Sequence, residues 1–144
     1  MESRPGTEPH FVLSLAIHHP DIDPARISAE LKRTPLHSWR AGDARTTPRG
    51  RKLPGVRSAS YWTESGAVDG VRDFFGEVEE ELAALTAHAR FLEEIVDTGG
   101  SVCLQFDLPG DVNIGSVLPH AVIKQLALLP VDVSVEVFPR MNKE

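Results

Sequence analysis

The sequence has a single cysteine, Cys103, so its 144 residues cannot form an intrachain disulfide. Small domains in oxidising compartments usually depend on several disulfides, and this chain therefore gives no sign of secretion. It also lacks an apolar run of about 18 residues, and its first residues have neither the basic start nor the apolar core of a signal peptide. We expect a cytoplasmic protein that does not enter a membrane.

Sequence signatures of catalysis are missing as well. The chain contains no nucleophile elbow, P-loop, dinucleotide-binding glycine fingerprint or zinc-type cysteine spacing. His18, His19, Asp21 and Asp23 have the atom types of metal ligands, but Asp23 is explained as a helix cap and no further ligand set accompanies them. Cys103 on an alternating strand is more typical of packing than of nucleophilic catalysis. We therefore assign no catalytic residue, cofactor or metal, and favour a binding role over an enzymatic one.

The charge of the chain is unevenly distributed. Residues 72–97 account for the whole formal net charge of −6, because they hold eight acidic and two basic side chains. The remainder sums to zero, yet it contains a basic region that only Asp43 offsets: Lys32, Arg33, Arg40, Arg45, Arg49, Arg51, Lys52 and Arg57. One segment of the sequence is thus acidic and another is basic.

An apolar stripe runs through residues 71–97. Its members, spaced four and three residues apart, are Val71, Phe75, Val78, Leu82, Leu85, Ala89, Leu92 and Val96. This spacing predicts one helix of about seven turns, roughly 39 Å long, along which the other elements pack. Gly99 and Gly100 are typical of a glycine cap at its end. The opposite face of the helix is acidic, and it is either solvated or a docking surface for a basic partner.

Alternating apolar residues and turn signals predict the other elements. Asp23 followed by Pro24 is typical of a helix start, and Gly42 suits a turn that needs positive φ. Residues 44–57, with five basic side chains, two prolines and two glycines, are predicted to be a mobile loop. The predicted strands are 11–19, 36–40, 58–64, 102–108 and 131–137, and the additional helices run from Pro24 to before Pro35 and over 118–129.

The resulting order, βαββαβαβ, predicts an α+β fold. Three of the strands alternate cleanly, as strands with one covered face do, so we expect a two-layer sandwich with a mainly antiparallel sheet of about five strands and three helices on one face. The first six elements have the order of a ferredoxin-like core. The domain spans 10–138, between tails at 1–9 and 139–144. The uncovered sheet face is predicted to show Ser14, Ala16, His18, Cys103, Gln105, Ser134 and Glu136.

Basic and aromatic side chains meet in the segment after the first predicted helix, and the strand with Tyr61 follows one loop later. We expect these two extended segments to pair as a hairpin. Arginine beside aromatic rings can hold an anion or stack on a planar group. Alternatively, the tryptophans complete the edge of the core, Asp43 forms a turn and the arginines are solvated. The candidate binding residues are His37, Trp39, Arg40, Asp43, Arg45, Trp62 and Glu64.

Two segments carry a recognisable pattern. Residues 22–45 contain an acid-Pro, Ile-Ser, Leu, Pro, Trp and Gly-Asp series, and residues 60–65 read Ser-Tyr-Trp-Thr-Glu-Ser. The pattern resembles the bacterial domain-of-unknown-function family 4279 (DUF4279), in which a long acidic helix and a final strand-helix-strand follow, over roughly residues 10–138. Family members usually have Leu-Gly-Leu before the proline, where this chain has Leu31-Lys32-Arg33-Thr34. The resemblance implies a fold and a bacterial origin, and brings no activity, catalytic residue or cofactor.

The leading hypothesis is a non-enzymatic binding or interaction domain for an unknown protein or a small anionic ligand. One alternative is an immunity-type protein that neutralises a basic toxin through the acidic helix. A further alternative is an enzyme that acts on an anionic small molecule, and this requires His37, Arg40, Asp43 and Arg45 to converge. Nucleic acid is not expected as a partner, because the protein is acidic and its basic stretch is short. The sequence is also compatible with a homodimer.

Overall fold

The computed structural model describes residues 9–71 and 73–139, so most of the two predicted tails lies outside the described residues. A 3₁₀ turn spans Phe74–Gly76. The strands and α-helices are β1 (His10–His19), α1 (Pro24–Leu31), β2 (His37–Trp39), β3 (Ala44–Thr46), β4 (Lys52–Val56), β5 (Ser60–Asp69), α2 (Glu77–Thr86), α3 (Ala89–Asp97), β6 (Ser101–Pro109), α4 (His120–Leu126) and β7 (Asp132–Phe138). None of the described helices has the length and apolarity needed to cross a membrane.

Five strands form one sheet in the order β2-β5-β1-β6-β7. β1 lies in the middle and pairs antiparallel with both β5 and β6, whereas β7 pairs parallel with β6. The predicted α+β class and the mainly antiparallel five-stranded sheet are therefore confirmed. The predicted count of three helices is wrong, because the described residues form four α-helices. The ferredoxin-like order is not fully matched, since the chain forms two additional strands after β2 and before β5. These strands, β3 and β4, make a second, two-stranded sheet.

The hydrophobic core lies between the sheet and the helices. β1 contributes Phe11, Leu15 and Ile17, and β6 contributes Val102, Leu104, Phe106 and Leu108, as the alternation predicts. One buried cluster joins these side chains to residues of α1, α2, α3 and α4. We call this the helix side of the sheet and its reverse the open side. Ala16 is an exception to the predicted open side: it is buried, because Thr63 and Cys103 lie beside it on the neighbouring strands.

The predicted long helix is in fact two helices, α2 and α3, separated at Ala87 and His88. Within α2 the Thr86 hydroxyl donates to the carbonyl of Leu82 at 2.6 Å, a contact that bends helices. After the break Phe91, Leu92 and Ile95 are buried, whereas the predicted Ala89 and Val96 are only partly buried against the core. The helical region also starts later than predicted, at the 3₁₀ turn, because Asp73 has a positive φ of 53°.

The glycine cap at the end of α3 is confirmed. Gly99 has φ 101°, its N–H donates to the carbonyl of Val96, and the N–H of Gly100 donates to Ile95. These two bonds satisfy two of the carbonyls in the last turn of the helix. The N-cap of α1 is confirmed as well, since the Asp23 carboxylate accepts from the Ala25 N–H at 3.0 Å.

Three further boundaries differ from prediction. β5 does not end at Glu64 but continues to Asp69, because the central strand β1 offers it pairing partners along its whole length. The predicted mobile loop at 44–57 contains the hairpin β3–β4, whose turn uses Gly50 with φ 84°. α4 is shorter than predicted and begins after Pro119, which occupies its N-cap, while Val122 and Leu126 face inward as expected.

Candidate functional site

Three aromatic rings lie in a row, in contact with one another, on the open side of the sheet. β5 alternates, so Trp62 enters the core and Tyr61 faces the open side. The register places Tyr61 between Trp39 of β2 and His18 of β1. The ring centroids of Tyr61 and Trp39 are 4.8 Å apart, and those of Tyr61 and His18 are 4.6 Å apart. Cross-strand register therefore builds a continuous aromatic surface from three elements that are distant in sequence.

Two arginines from the hairpin β3–β4 and its exit complete the site. The guanidinium carbon of Arg57 lies 3.8 Å from the centroid of the Trp39 ring, a cation–π contact, and Arg57 also donates to the Thr46 carbonyl at 3.1 Å. Arg45 donates to the Pro54 carbonyl across the hairpin at 3.3 Å. Together with the aromatic rings they line a pocket of about 400 Å³. We call it the aromatic groove, formed by His18, Trp39, Arg45, Arg57 and Tyr61.

The base of the hairpin is fixed to the turn that follows β2. The Gly42 N–H donates to the Arg57 carbonyl, and the Arg57 N–H donates to the Asp43 carbonyl, both at 2.8 Å. Gly42 has φ 91°, a conformation in which glycine is favoured. The Asp43 carboxylate accepts from the Arg40 N–H at 2.8 Å and stabilises the same turn. These bonds hold the backbone of Arg57 next to the end of β2, where its guanidinium lies over Trp39.

The structure divides the residues predicted as a site. Trp39 and Arg45 lie in the aromatic groove. His37 is exposed on β2, two residues before Trp39. Arg40 lines a different pocket of about 630 Å³ and lies 3.7 Å from the carboxylate of Asp23. His37, Arg40, Asp43 and Arg45 therefore do not meet in one described pocket.

Trp62 and Glu64 lie on the helix side of the sheet, away from the groove. Trp62 is 0% exposed, and its indole N–H donates to the Ser28 hydroxyl at 3.0 Å. Glu64 accepts from Arg33 at 3.1 Å, and Arg33 also bonds Glu81 of α2 at 3.1 Å. The expected pairing of the two segments is nevertheless confirmed, because β2 and β5 are antiparallel neighbours.

Sequence reasoning left His18 and Arg57 out of the site and named Tyr61 only as a companion. The alternation of β1 and β5 was a signal for two of these, since it places His18 and Tyr61 on the open side. No local pattern identified Arg57, because it belongs to a segment predicted as a loop. Its position depends on the hairpin and on the Gly42 turn.

His19, on the floor of the second pocket, is committed to structural bonds. Its Nδ1 accepts from the N–H groups of Asp21 and Ile22, at 3.1 and 2.9 Å, and its Nε2 lies 2.7 Å from the Thr98 hydroxyl. Nδ1 thus holds the turn that follows β1, while Nε2 joins the end of β1 to the end of α3. Across residues 9–71 and 73–139, no group of three histidine, cysteine or acidic side chains is placed to hold a metal ion.

Cys103 is half-buried on the open side of β6. Burial raises the pKa of its thiol, and the nearby carboxylate of Asp132 raises it further. A raised pKa lowers the fraction of reactive thiolate at neutral pH. The environment of Cys103 is therefore the opposite of one that activates a nucleophile.

The acidic face of the predicted long helix is split between α2 and α3 and partly neutralised. Glu81 pairs with Arg33, and Glu94 accepts two bonds of 2.8 Å from Arg26. Four further carboxylates are exposed and form no ion pair with a described residue: Glu79, Glu80, Glu93 and Asp97.

Comparison with known proteins gives a family and no function. The model of the family described as "Domain of unknown function (DUF4279)" matches residues 8–138 of the chain. No curated protein and no solved structure shows significant similarity to it. The match covers nearly all of the described residues, including the sheet, the helices and the aromatic groove. The chain therefore belongs to the DUF4279 family.

Proposed function

We propose that the protein is a non-enzymatic binding domain that captures a planar anionic ligand in the aromatic groove. The observation that carries the proposal is the stack of Arg57 on Trp39, 3.8 Å from the ring centroid, in a row that continues through Tyr61 to His18. A concave site with aromatic walls and a few placed polar groups is typical of small-molecule binding.

The chemistry of the groove favours a ligand with a flat ring and a negative charge. The faces of Tyr61 and His18 offer stacking surface, while Arg45 and Arg57 supply two positive charges with forked donors. The described lining residues include no carboxylate and no thiol, so an anion meets no like charge there. The volume of about 400 Å³ suits a ligand of one or two fused rings.

The hydrogen bonds of the two arginines leave capacity for a ligand. Arg57 spends one Nη2 donor on Thr46 and its Nε is buried, so its other Nη donors are the ones left for a ligand. Arg45 spends one Nη1 donor on Pro54 in a long bond of 3.3 Å. A guanidinium has five N–H donors, so both side chains keep donors for a carboxylate or phosphate.

The test uses naphthalene-2-carboxylate and phenyl phosphate as planar anionic probes, with cyclohexanecarboxylate and inorganic phosphate as controls. Binding is followed by quenching of tryptophan fluorescence and by calorimetry, and calorimetry alone serves for Trp39→Leu, which keeps only Trp62. We expect saturable binding of the planar anions with a Kd below about 1 mM, and a Kd at least about tenfold higher for Arg45→Ala and Trp39→Leu.

Arg49→Ala is the matched control, because it removes the same charge from the same hairpin outside the groove. It should leave the Kd within about twofold. If Arg45→Ala and Arg49→Ala weakened binding equally, the effect would come from the overall positive charge of the hairpin and not from the groove. Absence of saturable binding up to about 10 mM of either planar anion would overturn the proposal.

A second proposal is the immunity-type role, in which a basic protein binds the exposed carboxylates Glu79, Glu80, Glu93 and Asp97. It is supported by the lack of ion pairs between these four and the described residues. Such a complex should form with a basic toxin encoded next to this protein and weaken steeply with salt. Glu79→Lys with Glu80→Lys should abolish it, while Arg45→Ala should leave it intact. Binding that needs Arg45 would contradict this second proposal.

A further inference from the structure

The outer edge of β7 is an unusually open part of the sheet. β7 is the last strand of the five, and no described residue pairs with its outer edge. It has seven residues, whereas β2 at the opposite edge has three. Residues 132–138 contain neither lysine nor proline, and their only edge-protecting charges are the carboxylates of Asp132 and Glu136.

The side chains of β7 are also unusually exposed for a valine-rich strand. The parallel register with β6 places Val133, Val135 and Val137 beside Leu104, Phe106 and Leu108 on the helix side. However, Val135 is 45% exposed and Val137 is 64% exposed, so the apolar row of the core extends uncovered to the edge. Phe138 adds a ring that is 38% exposed. A long apolar edge of this kind is a template for pairing with another strand.

We propose that β7 pairs antiparallel with β7 of a second copy of this chain, centred on Val135. In that register Val135 lies opposite itself, and Val133 lies opposite Val137, so that six valines form one row on the helix side. Ser134 lies opposite Glu136, and Asp132 opposite Phe138. All seven residues of each strand are paired, and the two sheets join into one of ten strands.

Charge and strand length together select this register, because centring on Val133 or Val137 would leave part of each seven-residue strand unpaired. Centring the pair on Ser134 would place Asp132 of each copy opposite Glu136 of the other, and centring it on Glu136 would place that carboxylate opposite itself. Like charges directly opposite each other destabilise a strand pair. Centring on Val135 places an uncharged residue opposite each carboxylate. Such an isologous contact closes on itself and forms a dimer rather than a filament.

The test is the mass of the full chain in solution, measured by light scattering and sedimentation from about 1 to 200 μM under reducing conditions. We expect a reversible, concentration-dependent dimer. Val135→Lys should make the protein monomeric over this range, because it places two lysines opposite each other at the centre of the pair. Val137→Lys, at a more exposed position, should shift the dimer dissociation constant upward by at least about tenfold.

Leu128→Lys is the matched control, since Leu128 is 80% exposed and lies outside the strands. It should leave the dimer unchanged. In a Cys103→Ser background, Val135→Cys should form an intermolecular disulfide under mild oxidation, whereas Glu136→Cys should not, because Glu136 does not face its own copy. Thermal melting and circular dichroism establish that each variant is folded.

Two results would overturn the inference. The first is a monomer at every concentration, which would mean that the edge of β7 pairs with a different protein or with no partner. The second is a dimer that persists in folded Val135→Lys and Val137→Lys. If that persistent dimer dissociated at high salt, its interface would instead join the basic hairpin of one copy to the acidic helices of the other. None of these measurements depends on ligand binding in the aromatic groove.

Discussion

Replacing Trp62 with phenylalanine should destabilise the protein by about 3 kcal/mol without altering the aromatic groove. The indole is fully buried on the helix side and donates to the Ser28 hydroxyl at 3.0 Å. Phenylalanine is smaller by about 40 Å³, and at about 24 cal/mol per Å³ the cavity costs about 1 kcal/mol. The loss of about 40 Å² of buried apolar surface costs about 1 kcal/mol more, and the lost hydrogen bond about another 1 kcal/mol.

Ser28→Ala is the partner variant in a double-mutant cycle. It leaves the indole N–H buried without an acceptor, which costs about 1 to 3 kcal/mol. When both residues are replaced, the hydrogen bond is lost only once and no buried donor remains. The double variant should therefore be more stable than the sum of the two single effects predicts, by about 1 kcal/mol or more.

Urea unfolding monitored by far-UV circular dichroism provides the free energies, with an unchanged m-value as the sign that the folded state is preserved. Trp39→Phe serves as the comparison and should cost under about 1 kcal/mol, because that ring is only half-buried. An unchanged midpoint for Trp62→Phe, together with weaker binding of a planar anion, would refute the assignment of Trp62 to the core.

Two further predictions concern the helices and the thiol. Leu85→Asp should unfold the domain, because it buries an unpaired charge at a position that is 0% exposed. The control Ala84→Asp, on the exposed face of α2, should change the melting temperature little. Equal melting curves for the two variants would show that the wrong face of α2 was placed inward. Cys103 should react slowly with iodoacetamide near pH 7.5, and Asp132→Asn should speed the reaction, because removing the carboxylate lowers a thiol pKa that it now raises. An unchanged rate in the variant would refute the electrostatic contribution of Asp132.

The sequence alone determined the elements whose signals are local. The alternation of β1 and β6 identified their buried faces, because side chains on a strand alternate strictly between its two sides. Asp23, Gly42 and Gly99 marked a helix start, a turn and a helix end correctly, since each acts through its own backbone or through bonds to the next few residues. These local elements were sufficient to predict the α+β class.

Local signals failed where a distant partner decides the outcome. The apolar stripe over 71–97 fits one long helix as well as two shorter ones, and packing buries Phe91 and Ile95 after a break that no proline or glycine announces. Likewise, β5 continues past Ser65 and Gly66 because β1 is there to pair with it. The sequence records the turn propensity of these two residues but not the strand that overrides it.

The candidate site depends most on tertiary structure. Trp39 and Arg45 were identified from composition, because arginine near aromatic residues suggests a binding surface. The groove itself also requires His18 and Arg57, which are 39 residues apart in the sequence. Strand register brings His18 beside Tyr61, and the hairpin places Arg57 over Trp39, while the same sheet puts Trp62 on its other side. Which residues meet is thus set by the pairing of strands, a long-range contact that no local pattern encodes.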